Sequence, residues 1–137
     1  MYEFTTRRKI EFADTDQGGI VHFSRYFIFM ETAEHQFLEA AGTSVDLTLD
    51  DGRHVGWPRV SAKCEYKSPA RFGDTLDIRV SVARKGTKSM TYRIQFSVDG
   101  REIGRDEEAR RRAADALAER LDDVLFAAVT RRGAELE

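Results

Sequence analysis

The 137-residue chain has few covalent or steric fasteners: a single cysteine, Cys64, and only two prolines, Pro58 and Pro69. One cysteine excludes an intramolecular disulfide, so a hydrophobic core must hold the fold. The length suffices for one such core and is short for two, which predicts a single domain over residues 1–137. No apolar run approaches the roughly 20 residues of a bilayer-spanning helix, which excludes a helical membrane span. Neither charge sign dominates: 22 basic and 24 acidic residues leave a net charge of −2. Such a balance gives no global positive field for nucleic acid, and any polyanionic group must be held locally. The start Met1-Tyr2-Glu3-Phe4 lacks the basic-then-apolar plan of a secretory signal, and with the lone cysteine it points to a reducing, cytoplasmic setting. No internal repeat is present.

What the sequence does contain is periodicity. Residues 5–12 mix polar and apolar positions and predict an opening strand with one wet face. A loop from Ala13 to Phe23 follows, holding the pair Gly18-Gly19, where the backbone can turn sharply or approach a ligand. Ser24 is a candidate N-cap for a helix over Tyr26–Ala41. Phe27, Met30, Ala33, Phe37, Leu38 and Ala41 form its apolar face, with Glu31, Glu34 and Glu39 assigned to the outer face and Gly42 as the stop. Val60, Ala62, Cys64 and Tyr66 alternate along a strand predicted over 56–68, ended by Pro69. Phe72-Gly73-Asp74 makes a turn into the clearest strand, where Leu76, Ile78, Val80 and Val82 alternate with polar neighbours. Arg84–Lys88 turns into a partner strand with Met90, Tyr92, Ile94, Phe96 and Val98 on one face, and Asp99-Gly100 begins another tight turn. The sum is α+β: one long helix on one curved antiparallel sheet. From Asp106 to Glu137 arginine and alanine dominate. Leu117, Leu121, Val124, Leu125, Ala128 and Val129 share a helical face, so an amphipathic helical tail is predicted.

The segment with chemical potential is Asp14-Thr15-Asp16-Gln17-Gly18-Gly19-Ile20-Val21-His22-Phe23-Ser24-Arg25-Tyr26. An EF-hand reading fails: Gly18 stands at loop position five and Arg25 at position twelve, where a bidentate glutamate is required. A plain turn is one remaining reading, because Asp and Gly are common turn formers. The other is a carboxylate beside a helix N-terminus, where free N–H groups polarise a carbonyl while the carboxylate attacks it or activates water. The spacing of His22, His35, His54 and Cys64 matches no zinc site, so no metal is expected.

This segment, followed by an aromatic-rich helix ending in Ala40-Ala41-Gly42, resembles the hotdog-fold acyl-CoA thioesterases of the 4-hydroxybenzoyl-CoA thioesterase family. The resemblance runs from about Thr6 to about Gly104. It includes Gly56-Trp57-Pro58-Arg59-Val60-Ser61 and Phe72-Gly73-Asp74-Thr75-Leu76. It implies a hotdog fold and hydrolysis of an acyl-CoA thioester to a free acid and coenzyme A, which is part of the substrate, so no separate cofactor is implied.

The family's catalytic aspartate corresponds to Asp16, as nucleophile or general base, and Asp14 takes the structural part. The family's backbone oxyanion donor aligns with Phe23. Gly19 is either the point where the backbone approaches substrate or a plain turn glycine, and Tyr26 matches a family tyrosine or is a core residue; His22 is read as pocket-lining, because relatives with a catalytic histidine carry it where this chain has Phe23. Basic residues that hold coenzyme A phosphates in the family correspond to Lys88, with Arg84 and Lys85 beside it. A related branch uses a helix glutamate, but with Asp16 present Glu31 and Glu34 read as structural or surface residues. Edge-to-edge homodimers, and tetramers of them, with the site at the subunit boundary, are also implied. Carrier-protein thioester hydrolysis and a noncatalytic acyl-binding module are the alternatives. The family closes its sheet with a strand rich in β-branched and aromatic residues. Arg101–Arg105 begins one, but Asp106-Glu-Glu-Ala-Arg-Arg-Arg continues it poorly by propensity. Either tertiary context extends the strand to about Ala113, or a shifted reading frame has altered the tail.

Overall fold

Residues 3–48 and 50–112 are described by the computed structural model. Their order is β1 (Glu3–Lys9), one turn of 3-10 helix (Phe12–Asp14), α1 (Arg25–Ala40), β2 (Asp46–Thr48), β3 (His54–Gly56), β4 (Arg59–Ser61), β5 (Glu65–Tyr66), β6 (Thr75–Lys85), β7 (Ser89–Val98) and β8 (Arg101–Arg112). The predicted alternation builds the centre of the sheet. Leu76, Ile78 and Val80 of β6 and Met90, Tyr92, Ile94, Phe96 and Val98 of β7 are all buried, each pointing to the side that carries the helix. The antiparallel order is β1-β6-β7-β8, with β4 and β5 both paired along the far edge of β8, while β2 and β3 form a separate ribbon. β7 and β8 join through Asp99 and Gly100, both at positive φ (48° and 82°), the primed turn whose twist suits a two-residue hairpin.

The helix α1 lies against β1 and β6. Phe37 contacts the rings of Phe4 and Tyr92 at 6.0 and 6.1 Å, and Tyr26 meets Phe96 at 5.3 Å. Burial of each such ring stabilises by about 1.5–3 kcal/mol. The buried stripe is Tyr26, Phe29, Met30, Ala33, Glu34, Phe37 and Leu38. Two assignments therefore change. Phe29 is in the core and Phe27 is half-buried, and Glu34, placed outside by its charge, is fully buried. Glu34 follows Met30 and precedes Leu38 by four residues each, so helical geometry puts it on the inner face regardless of polarity.

The strand predicted over 56–68 is instead three short pieces. Pro58 separates β3 from β4, and the backbone N–H of Lys63 turns to the Asp106 carboxylate (2.8 Å) instead of a ladder partner. Val60, Ala62 and Tyr66 are consequently exposed on an edge. The opening strand also ends earlier, at Lys9. At the other end, Asp106–Arg112, assigned by propensity to a helical tail, continue β8 through its pairing with β7; the rest of that tail, 113–137, lies outside the described residues.

Partners in space explain why a strand rich in arginine and acid persists. Asp106 is buried and accepts from the N–H groups of Lys63 and Glu108 (2.8 and 2.9 Å). Arg111 donates through Nε to Glu34 Oε2 at 2.5 Å and through Nη1 to the Trp57 carbonyl at 2.8 Å. Arg59 of β4 takes the other oxygen of Glu34 at 2.6 Å. One carboxylate thus ties α1 to both β4 and β8. Removing it strands two guanidinium groups in the interior, which costs far more than an exposed ion pair is worth. Glu34→Ala is expected to lower unfolding stability by about 3–5 kcal/mol, read from the urea midpoint; a change below about 1 kcal/mol would mean the network contributes little.

Candidate active site

The segment from Ile10 to Arg25 folds around Asp14. This carboxylate is 2% exposed. Its Oδ2 accepts from the Glu11 N–H at 2.9 Å, Arg8 Nη2 lies 3.3 Å from Oδ1, and Arg25 Nε lies 3.9 Å from the same oxygen. Arg8 also sits over the Phe29 ring, 4.7 Å from its centroid. Asp14 therefore joins β1, the 3-10 turn and the first residue of α1. The Asp14 carbonyl then accepts from the His22 N–H (2.9 Å), Thr15 bridges Val21, and the Asp16 N–H donates to the Ile20 carbonyl (2.8 Å). These bonds make a miniature hairpin whose tip is Gln17-Gly18-Gly19.

Asp16 stands at the base of that tip and is exposed. Its Oδ1 accepts from the Gly18 N–H at 2.8 Å, and its carbonyl accepts from the Gly19 N–H at 3.0 Å. Gly19 adopts φ +80°, the left-handed region that side chains with a Cβ resist. The turn-forming role is thus real and uses one carboxylate oxygen. Among the described residues, no hydrogen bond engages Oδ2, and the side chain faces open surface.

Across the hairpin, the residues leading into α1 leave one donor spare. The N–H groups of His22 and Arg25 go to the carbonyls of Asp14 and His22 (2.9 Å each). That of Ser24 goes to His22 Nδ1 at 3.3 Å. Because an N–H can only donate, Nδ1 is the acceptor there, and the Ser24 hydroxyl 2.7 Å away donates to it as well. Ser24 occupies the N-cap position, yet its side chain caps nothing in the helix and serves His22 instead. The Phe23 N–H has no hydrogen-bond acceptor among the described residues. The Phe23 ring is 63% exposed and stacks on His22 at 4.6 Å.

Tyr26 occupies a different environment from the other candidate residues. It is 3% exposed, packed edge-on among Phe29, Tyr66 and Phe96. Burial pushes its phenol up to about 12. It shapes the core beneath the loop and is not on the surface beside Asp16. The basic residues Arg84, Lys85 and Lys88 sit at the far end of β6, on and next to the turn into β7. The Asp16 hairpin abuts the near end of that strand, through the Ile20–Arg71 bridge just before Thr75. Ten residue steps of extended chain separate the two, roughly 30 Å. Within one chain, then, the carboxylate and the basic turn are not neighbours. Arg84 lines a 400 Å³ cleft with Ser61, Thr91, Glu107, Glu108 and Arg110, on a different part of the surface. Among the described residues no cluster of His, Cys, Asp and Glu could hold a metal ion.

Two features of this region escape the sequence reading. Phe12 and Phe72, 80% and 63% exposed, meet edge-on at 6.2 Å beside the hairpin. Tyr66 donates its hydroxyl to the Phe23 carbonyl at 2.9 Å. The two members of each pair are far apart in sequence, and no local pattern announces either contact.

The profile of the thioesterase superfamily matches residues 18–104. The 1,4-dihydroxy-2-naphthoyl-CoA hydrolase of Synechococcus elongatus is 26% identical over 131 residues, covering 91% of this chain and 96% of that protein. Among solved structures, the BH1999 gentisyl-coenzyme A thioesterase superposes with a TM-score of 0.72 and 33% identity, over 81% of this chain and 88% of that one. The DHNA-CoA thioesterase of Staphylococcus aureus superposes with a TM-score of 0.81 over 98% of this chain and 94% of that one; at 15% identity it speaks for the fold alone.

The two aspartates differ in what their loss does to folding. Asp14→Ala leaves the Glu11 N–H and Arg8 without their carboxylate acceptor and removes the ion pair of Arg25, which keeps its bond to the Ala13 carbonyl; it is expected to cost about 1–3 kcal/mol. Asp16→Asn keeps an oxygen for the Gly18 N–H and is expected to stay within about 0.5 kcal/mol of the parent. Urea unfolding of the two variants measures both, and equal losses would refute the division.

Proposed function

Because the chain belongs to the thioesterase superfamily and is a thioester hydrolase, we propose that it acts on acyl-CoA thioesters, with Asp16 as the carboxylate that attacks the carbonyl carbon or takes a proton from the attacking water. The observation that carries the reading is an exposed carboxylate on one arm of a short hairpin and, where the other arm runs into α1, a backbone N–H, that of Phe23, with no acceptor among the described residues. Charge builds on the thioester oxygen as the nucleophile adds, and a fixed N–H is suited to receive it. Collapse of the adduct expels the thiolate of coenzyme A and leaves either the free acid or, if Asp16 adds directly, an anhydride that water then opens. The relatives that support the reading are named for aromatic acyl groups, and the exposed Phe12–Phe72 pair offers rings beside the hairpin. Aryl-CoA thioesters are therefore the first substrates to test. Asp16→Asn and Asp16→Ala should each lower kcat by more than a hundredfold in a free-thiol assay; undiminished thiol release by both variants would remove Asp16 from the mechanism.

The placement of Asp16 and the basic turn at opposite ends of β6, roughly 30 Å of extended strand, favours a site shared between subunits. Among the described residues, β4 and β5 form an edge of the sheet with no further strand beside it, carrying exposed Val60 and Tyr66. Tyr66 of β5 pairs with Gly104 at the Asp16 end of the sheet, and Arg59 of β4 pairs with Arg111 at the end carrying the β6–β7 turn. Two copies joined antiparallel along this edge, about a two-fold axis normal to the sheet, exchange their ends. The basic turn of one subunit then stands level with Asp16 of the other, where Arg84, Lys85 and Lys88 meet the phosphates of coenzyme A. Mixing equal amounts of Asp16→Asn subunits with Arg84→Ala/Lys88→Ala subunits should restore about a quarter of the parental sites, since half of the dimers carry one intact site. Measured at subsaturating aryl-CoA, no gain over the unmixed variants would place the two groups in one subunit.

A further inference from the structure

We propose that Tyr66 is a positioning residue for thioester hydrolysis, holding the peptide that follows Phe23 so that the spare Phe23 N–H keeps a fixed direction. The inference rests on the reading of Phe23 as the oxyanion donor and adds a residue to it. The peptide group between Phe23 and Ser24 is gripped at both ends: its carbonyl accepts from the Tyr66 hydroxyl at 2.9 Å, and its N–H donates to His22 Nδ1 at 3.3 Å. The preceding residue is pinned in turn by the His22 N–H to Asp14 carbonyl bond. With its neighbours on both sides fixed, Phe23 has little freedom to rotate about its own backbone dihedrals, and its N–H is preorganised.

Tyr66 is suited to this task for two reasons. It lies on β5, paired to β8 opposite Gly104, where an added Cβ would come within 2.7 Å of the Glu65 carbonyl. That close approach leaves β5 a single seat on the sheet. Its ring is also braced edge-on by Tyr26 at 5.5 Å, so the hydroxyl is delivered from a rigid support. Burial and the nearby Cys64 push the Tyr66 phenol up to about 12, so it remains a donor throughout the neutral range. The hydroxyl connects a loop residue to a strand 43 positions away, and it also interacts with the side chain of Cys64, two residues before it. A tyrosine retained for packing alone needs no such bond.

The experiment is steady-state kinetics of Tyr66→Phe beside Asp16→Asn with one aryl-CoA thioester, together with thermal unfolding and the backbone amide NMR shifts of Phe23 and Ser24. Tyr66→Phe preserves the ring and its contact with Tyr26. The expected result is a fall in kcat of about tenfold with KM within about twofold of the parent, an unchanged midpoint, and a shift of the two amide resonances. Parental kcat in Tyr66→Phe while Asp16→Asn is inactive would overturn this inference and leave the catalytic reading standing. A lowered unfolding midpoint with kcat and KM altered together would reduce Tyr66 to a structural residue and overturn it likewise. Parental activity in Asp16→Asn would instead remove the reading on which it rests.

Discussion

A single buried carboxylate organises this molecule. Glu34 projects from the inner face of α1 and is met by Arg111 from β8 and Arg59 from β4. An unpaired charge in that position would be intolerable, and the paired one has few geometries in which both oxygens are satisfied. The helix is thereby fixed in rotation and depth over the sheet, and the last strand is fixed in register. From β8 the constraint passes outward to the edge pieces β4 and β5. Through Tyr66 on β5 it reaches Phe23, at the start of the same helix. The site and the core are two ends of one set of contacts.

Within the loop, two aspartates only two residues apart do different work because their surroundings differ. Asp14 is surrounded by cations and an N–H, and its oxygens are committed to holding β1 and α1 together. Asp16 lies beyond that cage on the open side of the hairpin, with one oxygen shaping the turn. Chain geometry enforces the arrangement: the Asp16 N–H to Ile20 carbonyl bond and the left-handed Gly19 direct its backbone, and the exposed side leaves its second oxygen to solvent or substrate. A turn-forming aspartate and a reactive one are therefore compatible descriptions of the same residue.

The architecture separates the candidate residues along the strands. Hairpin and helix start occupy one end of the sheet, and the basic turn the other, with the long uninterrupted β6 between them. A free edge interrupted by Pro58 and by the capture of the Lys63 N–H joins the two ends on the outside. An exposed edge carrying Val60 and Tyr66 is a surface for strand pairing unless something covers it.

By itself, the sequence determined whatever depends on short-range periodicity and local turn chemistry. The alternation at 76–82 and 90–98 specified the central strands, Asp99-Gly100 the turn into the last strand, and the Asp14–Tyr26 motif the candidate site, because period, glycine and carboxylate spacing act over a few residues. Only the tertiary structure decided the fate of charge. Glu34 looked exterior and is interior, and Asp106–Arg112 looked unfit for a strand and complete the sheet, because their partners are contributed by α1, β4 and the segment before β5. The same holds for Tyr66, which the sequence places only in an alternating strand and whose hydroxyl reaches Phe23. Propensity measures what a residue prefers among its neighbours in sequence. A buried ion pair or a long-range hydrogen bond is set by which surfaces the folded chain brings together, and that can outweigh local preference wherever the cost of leaving a polar group unpaired is larger.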